Sequence, residues 1–298
     1  GLQVFKLLRR RPTDHRFHIW HARRNNEMLW ALFFKVILRC PLKIVFTSAA
    51  IRRHSMWPRW LISKMDAVIA TSPAAANLVE PVAAVVGHGV DVQRFAPKGS
   101  RTAALAKMEV VFEKAIGQFG RVRPEKGSDI FVEAMIELLP DHPEFGAVLV
   151  GKVTSQFEKF SEQLQEKVHA AGLQDRIVWY GEVPFSVVPA VYNAMSLVVA
   201  PSRYEGFGLT PIEAMASGAP VVASDTGAYR QMIDQGVTGA IFPVGNDKLF
   251  RGHLRELMGN ADRLSEMGAI CQAKVQREFS VEKEAAGINE VYEAVWST

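Results

Sequence analysis

The sequence predicts an α/β protein made of two Rossmann-like units, each a parallel sheet covered by helices. Three observations carry this reading. Short apolar, β-branched runs alternate with longer segments whose apolar residues recur at helical spacing, as strand–helix–strand crossovers require. The alternation occurs twice, separated by a stretch (90–108) that lacks an apolar strand and contains Pro97, Gly99 and Ser100. Finally, 298 residues, 48% of them hydrophobic and 22% charged, suit two domains with sizeable cores.

In the first part, residues 1–89, strands are expected at 17–21, 43–48, 67–71 and 83–87, and helices at 25–39, 56–64 and 73–79. Four strands are fewer than a complete doubly wound domain carries. The chain also opens on Gly1 and reaches Arg9-Arg10-Arg11 at once, without a signal peptide. The expectation is therefore an incomplete N-terminal domain whose first strands are missing. Residues 90–108 read as an interdomain linker. A fuller series follows over 109–280, with strands at 116–120, 147–151, 177–180, 197–200, 220–223 and 239–242. Helices are expected at 127–139, 156–171, 187–193, 210–217, 229–235, 248–258 and 261–279. A last helix within 281–298 sets Ile288, Val291, Tyr292 and Val295 on one face, which should pack back toward the N-terminal domain.

The same composition excludes disorder and collagen-like repeats. The longest apolar run, 29–38, is about half of a roughly 20-residue membrane span and carries Lys35. Cys40 and Cys271, far apart in the chain, read as buried free thiols in a reducing cytosol, with a single long-range disulfide as the alternative. His15, His18 and His21 lie near a strand, where odd spacing puts successive side chains on opposite faces, so no metal site is expected. Charge is divided unevenly. Residues 1–65 hold 14 Lys/Arg against 2 Asp/Glu, and the remainder holds 21 against 29. A basic first segment points to an anionic partner, whether nucleic acid, a membrane face or a phosphorylated substrate. A solvated basic surface is the plain alternative. Within 51–64, Arg52, Arg53, Arg59 and Lys64 stand among Trp57 and Trp60, a mixture that suits an anionic membrane–water boundary, while Pro58, Leu61 and Ile62 equally suit an ordinary packed helix.

In open α/β sheets, ligands bind beyond the carboxyl ends of the strands. Two motifs lie there. The first, Gly120-Arg121-Val122-Arg123-Pro124-Glu125-Lys126-Gly127, links a strand to a helix. A glycine-rich turn aims backbone amides and a helix start at one point, and Arg121 and Lys126 add cations, a combination suited to phosphate. It matches neither the G-x-x-x-x-G-K-[ST] loop nor the G-x-G-x-x-G fingerprint. The second motif runs from Pro201 to Gly218 and places Glu205 beside Gly206, Phe207, Gly208 and Leu209, with Glu213 one turn into the next helix. Two carboxylates astride an anion-attracting helix start suit a ligand with hydroxyls at both ends and phosphates between. Solvated side chains at a turn and a helix start are the alternative for both motifs.

Together with the stretch His88-Gly89-Val90-Asp91…Phe95, these residues resemble retaining family 4 glycosyltransferases of the GT-B fold, over roughly 17–298. The likeness is closest to the lipopolysaccharide core mannosyltransferases of rhizobia and related α-proteobacteria. It is carried by Ile19-Trp20-His21-Ala22-Arg23-Arg24-Asn25, Phe119–Arg123 and Ala200–Pro211. The resemblance implies two Rossmann-like domains facing across a cleft and transfer of a sugar, expected to be mannose from GDP-mannose, onto an acidic inner-core sugar on a lipid. A UDP-sugar donor is the alternative within the class, and a basic nucleic-acid- or membrane-binding module is the alternative outside it. The donor would be a substrate and no cofactor is implied. Arg121 and Lys126 would hold its diphosphate, Glu205 the transferred sugar and Glu213 the ribose. Gly120 and the backbone of Phe207, Gly208 and Leu209 would line the donor. His21 would orient a sugar or acceptor hydroxyl, and Arg23 and Arg24 would meet the acidic acceptor. His88 is expected to be structural. No Asp-x-Asp occurs, so no metal is implied. The working place implied is the cytoplasm or the inner face of the bacterial inner membrane, and nucleic acid is not an expected partner.

Overall fold

The structure, a computed structural model, describes residues 2–79 and 81–298. They form two compact units: the chain up to Gly89 together with Val281–Thr298, and Val90–Ser280.

In the first unit, helix α1 (Leu2–Arg9) precedes β1 (His18–Ala22), α2 (Asn25–Leu32), β2 (Leu42–Ser48), α3 (Met56–Ile62), β3 (Ala67–Ala70), α4 (Pro73–Ala76) and β4 (Ala84–Val85). The four strands are all parallel, in the order β1-β2-β3-β4. Side chains alternate across the sheet as the pleat dictates. Val45 and Ile69 face the C-terminal helix Val281–Trp296 through its Val291 and Val295. Phe46 and Val68 turn the other way, toward Met28, Leu61 and Ile62.

Three expectations need correction here. The helix expected at 25–39 is α-helical only to Leu32, and Phe33–Ile37 winds as a π-helix. The wider turn puts Phe34 into the core and leaves Phe33, Val36 and Ile37 exposed. The helix expected at 73–79 is capped by the Ser72 hydroxyl, which accepts from the Ala75 amide at 3.1 Å, but it lasts one turn. The strand expected at 83–87 pairs only at Ala84 and Val85.

The second unit holds α5 (Val92–Phe95), α6 (Arg101–Ala106), β5 (Lys114–Phe119), α7 (Ser128–Leu138), β6 (Phe145–Val150), α8 (Glu158–Ala170) and β7 (Ile177–Gly181). It continues through α9 (Val188–Ala194), β8 (Met195–Ala200), α10 (Thr210–Ala216), β9 (Val221–Ser224), α11 (Tyr229–Met232), β10 (Gly239–Phe242), α12 (Asp247–Met258) and α13 (Ala261–Glu278). All six strands are parallel, in the order β10-β9-β8-β5-β6-β7. The chain thus starts at the sheet's centre, winds outward one way, and returns beside β5 to wind the other way. Both sheet faces are buried. Along β8, Val198 and Ala200 enter one core while Leu197 and Val199 enter the other, so the strand reads as a continuous apolar run.

The expected linker at 90–108 is corrected as well. Asp91 and Ser100 cap two short helices, and Phe95, Leu105 and Met108 are buried in the core of the second unit. Apolar side chains at these spacings make the stretch part of a domain instead of a tether.

Candidate active site

The doubly wound order fixes where a ligand site falls. The winding order reverses between β5 and β8, and diverging loops at such a switch point leave a crevice beyond the carboxyl ends of the strands. The loop after β5 is Gly120–Gly127, and the loop after β8 is Pro201–Leu209. Both sequence motifs therefore meet at one place.

Backbone contacts lock the two loops together. The Arg203 amide donates to the Glu125 carbonyl at 2.8 Å, and Gln118 Nε2 donates to the Lys126 carbonyl at 2.8 Å. The Arg203 guanidinium forks onto Asp129 at 2.8 and 2.7 Å and also donates to the Pro124 carbonyl. Burial works against the Asp129 carboxylate, but these two hydrogen bonds and the Arg203 charge hold it below the usual range. Exposed pairs contribute about 0–1 kcal/mol, so this one matters more for geometry than for stability. Gly127 is required outright. Its φ is +68°, and a Cβ there would stand 2.0 Å from the Pro201 carbonyl oxygen.

Inside this frame Lys126 Nζ donates to Glu205 Oε1, with both side chains mostly buried. Ser202 Oγ donates to the same carboxylate oxygen at 3.2 Å, and the Glu205 amide donates to Thr226 Oγ1 at 3.3 Å. Lys126 and Glu205, to which the resemblance assigns diphosphate and sugar respectively, are thus ion-paired with each other. A lone cation in this partly dry pocket carries a desolvation cost that a carboxylate one loop away offsets. Arg121, by contrast, is exposed and makes no hydrogen bond or ion pair among the described residues. Gly120 lies beside the Lys126 stem, with φ +117°.

Phe207 is buried, and its carbonyl accepts from the Ala228 amide at 3.1 Å. Gly208, at φ +82°, lies against the Tyr229 ring, where a Cβ would meet Cε1 at 2.4 Å. Leu209 is exposed at the start of α10. On the next turn Glu213 accepts from the Tyr192 hydroxyl at 2.9 Å. Burial pushes the Glu213 carboxyl up, while Tyr192, Lys126 and Arg94 pull it back toward its ionised form. Burial, reinforced by the Glu213 charge, raises the Tyr192 phenol well above its ordinary value, so it stays a proton donor.

Tyr192, Arg203's partner Asp129, and Gln118 were not visible as site residues in the sequence. Tyr192 ends an otherwise apolar helical run, where an aromatic reads as core. It is core too, stacked on Phe119 at 3.6 Å between ring centres. Its one polar atom does the work at the site.

His21, Arg23 and Arg24 belong to the first unit. His21 Nδ1 lies 2.6 Å from the Tyr292 hydroxyl and Nε2 2.6 Å from the Thr47 hydroxyl, so one nitrogen donates and the other accepts. Burial, and next the Arg23 charge, push its pKa down to about 4, and the ring is neutral. The Arg23 guanidinium is exposed, 4.0 Å from Glu284, and Arg24 is exposed just before α2. His88 Nδ1 and the Gly89 amide each lie 2.9 Å from a Glu284 oxygen, the tie expected of a structural residue. Cys40 and Cys271 are buried free thiols, and burial pushes Cys271 up to about 12.

Comparison with known proteins agrees with this geometry. The family model "Glycosyl transferases group 1" matches residues 109–272. The chain is 43% identical to the lipopolysaccharide core biosynthesis mannosyltransferase LpcC of Rhizobium leguminosarum bv. viciae, over 96% of this chain and 81% of LpcC. It is also 43% identical to the corresponding protein LpsB of Rhizobium meliloti, over 96% of this chain and 82% of LpsB. Among solved structures, the C-terminal domain of a group 1 glycosyl transferase (LpcC) from Francisella tularensis covers 65% of this chain and matches over its own full length, at TM-score 0.61 and 30% identity. Anabaena Alr3699/HepE, solved with UDP, matches 98% of this chain and 81% of its own at TM-score 0.82 and 21% identity, a likeness of fold. With a family model over more than half of it and relatives this similar along almost its whole length, the chain belongs to the group 1 glycosyl transferases and has the GT-B fold.

Proposed function

We propose that this glycosyltransferase moves mannose from GDP-mannose to an acidic inner-core sugar of lipopolysaccharide, with retention at the anomeric carbon. What supports the reading is the pairing of Lys126 with Glu205 beside Glu213 in the loops after β5 and β8, with Arg121 in the first of those loops, together with the mannosyltransferase names of the two rhizobial relatives. In the reaction, the bond from the anomeric carbon to the diphosphate breaks, the acceptor oxygen bonds to that carbon, and its proton passes to the departing phosphate. Lys126 and Arg121 stabilise the charge that develops on the leaving diphosphate. Glu205, released from part of its pairing with Lys126 when phosphate arrives, accepts from sugar hydroxyls. Glu213 accepts from the ribose. Backbone amides near Phe207–Leu209 line the donor.

The same reading gives His21 a neutral ring that orients a hydroxyl, and Arg23 and Arg24 a role in meeting an acidic acceptor. Transfer proceeds without a metal ion. The acceptor is lipid-linked, and the enzyme works at the anionic inner face of the membrane. Among the described residues no helix is long and apolar enough to cross it.

A donor panel tests the reading. Transfer of radiolabelled sugar to a core acceptor is expected from GDP-mannose and not from UDP-glucose or UDP-N-acetylglucosamine. Transfer from a UDP-sugar alone would replace GDP-mannose with the alternative donor.

A further inference from the structure

Two fully buried tyrosines, Tyr192 and Tyr229, stand beside the paired glutamates of the second unit. The first has a partner, since its hydroxyl donates to Glu213 at 2.9 Å. The second has none. Tyr229 opens α11, and its ring lies against Gly208, where the absence of a side chain leaves room for the phenol end. In the turn just before it the Thr226 hydroxyl accepts from the Glu205 amide, and Gly227 abuts the Glu205 stem. The Tyr229 hydroxyl is thus near enough to Ser202 and the Glu205 carboxylate for both to bear on its acidity, yet it makes no hydrogen bond of normal geometry. Burial, and next the Glu205 charge, raise the phenol well above its ordinary value, so it keeps its proton to donate. A buried hydroxyl without a partner is costly, and native folds hold few of them. Glu205 supplies a use for this one. Lys126 and Ser202 both donate to Oε1, and Oε2 accepts no hydrogen bond among the described residues. Lys126 is also the cation for which a diphosphate would compete. When it turns away, a mostly buried carboxylate loses its one cationic partner.

We propose that Tyr229 is a positioning residue whose hydroxyl is held in reserve and donates to Glu205 when a nucleoside diphosphate draws Lys126 away. The proposal rests on the reading that Lys126 holds the diphosphate, and it names what then keeps Glu205 in place for the sugar. A phenol suits this duty. It is neutral, so it holds the carboxylate without competing with Lys126 for the phosphate. It also acts from the buried side of the loop and leaves the other carboxylate oxygen to a sugar hydroxyl. No proton is transferred. One hydrogen bond replaces another on the same group.

The test uses the whole chain. Tyr229→Phe removes the hydroxyl and keeps the ring. Without ligand its melting temperature should equal or exceed that of the parent, because no hydrogen bond is lost. Its affinity for GDP by calorimetry should fall about tenfold, the effect of one hydrogen bond to a charged group. Its affinity for guanosine, which has no phosphate to draw Lys126, should be unchanged in an NMR titration. A tyrosine that only packs against Gly208 would alter both ligands alike. In a Glu205→Gln background the same substitution should have no further effect on GDP, because a neutral amide needs no replacement for Lys126. If the donor panel assigns a UDP-sugar, UDP and uridine take the places of GDP and guanosine. A measurement on the parent chain covers the case of a variant that does not fold. With tyrosine labelled at Cζ, one phenol resonance, other than the one Tyr192→Phe removes, should shift on adding GDP and not on adding guanosine. If Lys126→Ala weakens GDP and Tyr229→Phe does not, Tyr229 is core alone and the reading of Lys126 stands. If Lys126→Ala leaves GDP affinity unchanged, the diphosphate reading fails and the reserve role falls with it. Equal losses for GDP and guanosine, a lower melting temperature without ligand, or no shifted phenol resonance would also overturn the assignment.

Discussion

Glu205 and Glu213 are eight positions apart in the chain and answer to different neighbours. Glu205 is tied to Lys126 and Ser202, and Glu213 to the buried Tyr192 hydroxyl. Glu205→Gln should therefore lower turnover far more than affinity for free GDP, because GDP lacks the transferred sugar. Glu213→Gln should weaken GDP itself. A hydrogen bond to a charged group is worth about 1.5–3 kcal/mol, or roughly 10- to 150-fold in a dissociation constant by calorimetry. Tyr192→Phe should reproduce a smaller part of that loss, greater on the acid side, because the carboxyl loses a donor that favours its ionised form. Equal effects of the two glutamate variants on GDP would refute the division of roles. His21 offers a different readout. Its folded pKa of about 4 lies below the ordinary 6.5. Between those values the unfolded chain binds the proton and the folded chain does not. Stability should then fall as pH drops from about 6.5 toward 4, and that component should vanish in His21→Gln. Melting curves across this window check it.

At the scale of elements, the site depends on two loops held by a few rigid points. Gly127→Ala forces a left-handed backbone on a residue with a side chain, at about 1–2 kcal/mol, and brings Cβ onto a backbone carbonyl that cannot swing aside. Denaturation should show a loss of at least about 2 kcal/mol, with donor affinity falling in the molecules that remain folded. The short helices α5 and α6 belong to the same scale. Their Phe95 and Leu105 close one face of the second sheet, so they fold with the donor half instead of hanging between domains. Expressed alone, residues 90–280 should melt cooperatively, whereas 109–280 should lose the burial of Phe95, Leu105 and Met108 and melt earlier. Fully burying one large apolar side chain is worth about 1.5–3 kcal/mol.

For the whole molecule, the cations on which catalysis is proposed to rest are side chains. Transfer by the full enzyme should survive EDTA. Loss of activity on chelation, restored by Mg²⁺ or Mn²⁺, would show that the leaving group needs a metal. Charge is also organised at this scale, since the basic excess lies in residues 1–65 and an acidic excess in the remainder. Within the first segment, Lys35 and Lys43 are both paired with Asp66.

The sequence by itself determined the fold class, because parallel strands buried on both faces must be short apolar runs and their crossovers must be helices. Residue type and spacing also pointed to Arg121, Lys126, Glu205 and Glu213 as candidates, because glycine at a strand end and carboxylates flanking a helix start are what a ligand with phosphates and hydroxyls would ask of two loops. Only the tertiary structure decided what depends on partners distant in the chain: the Lys126–Glu205 pair, 79 positions apart, the Tyr192 hydroxyl on Glu213, and the grip of Tyr292 on His21 from 271 positions away. It also decided the fate of 90–108, where no periodicity long enough to read announces two one- or two-turn helices, and their burial is what makes them domain. The same holds for 73–79, where the pattern read as a longer helix and the backbone stopped after one turn.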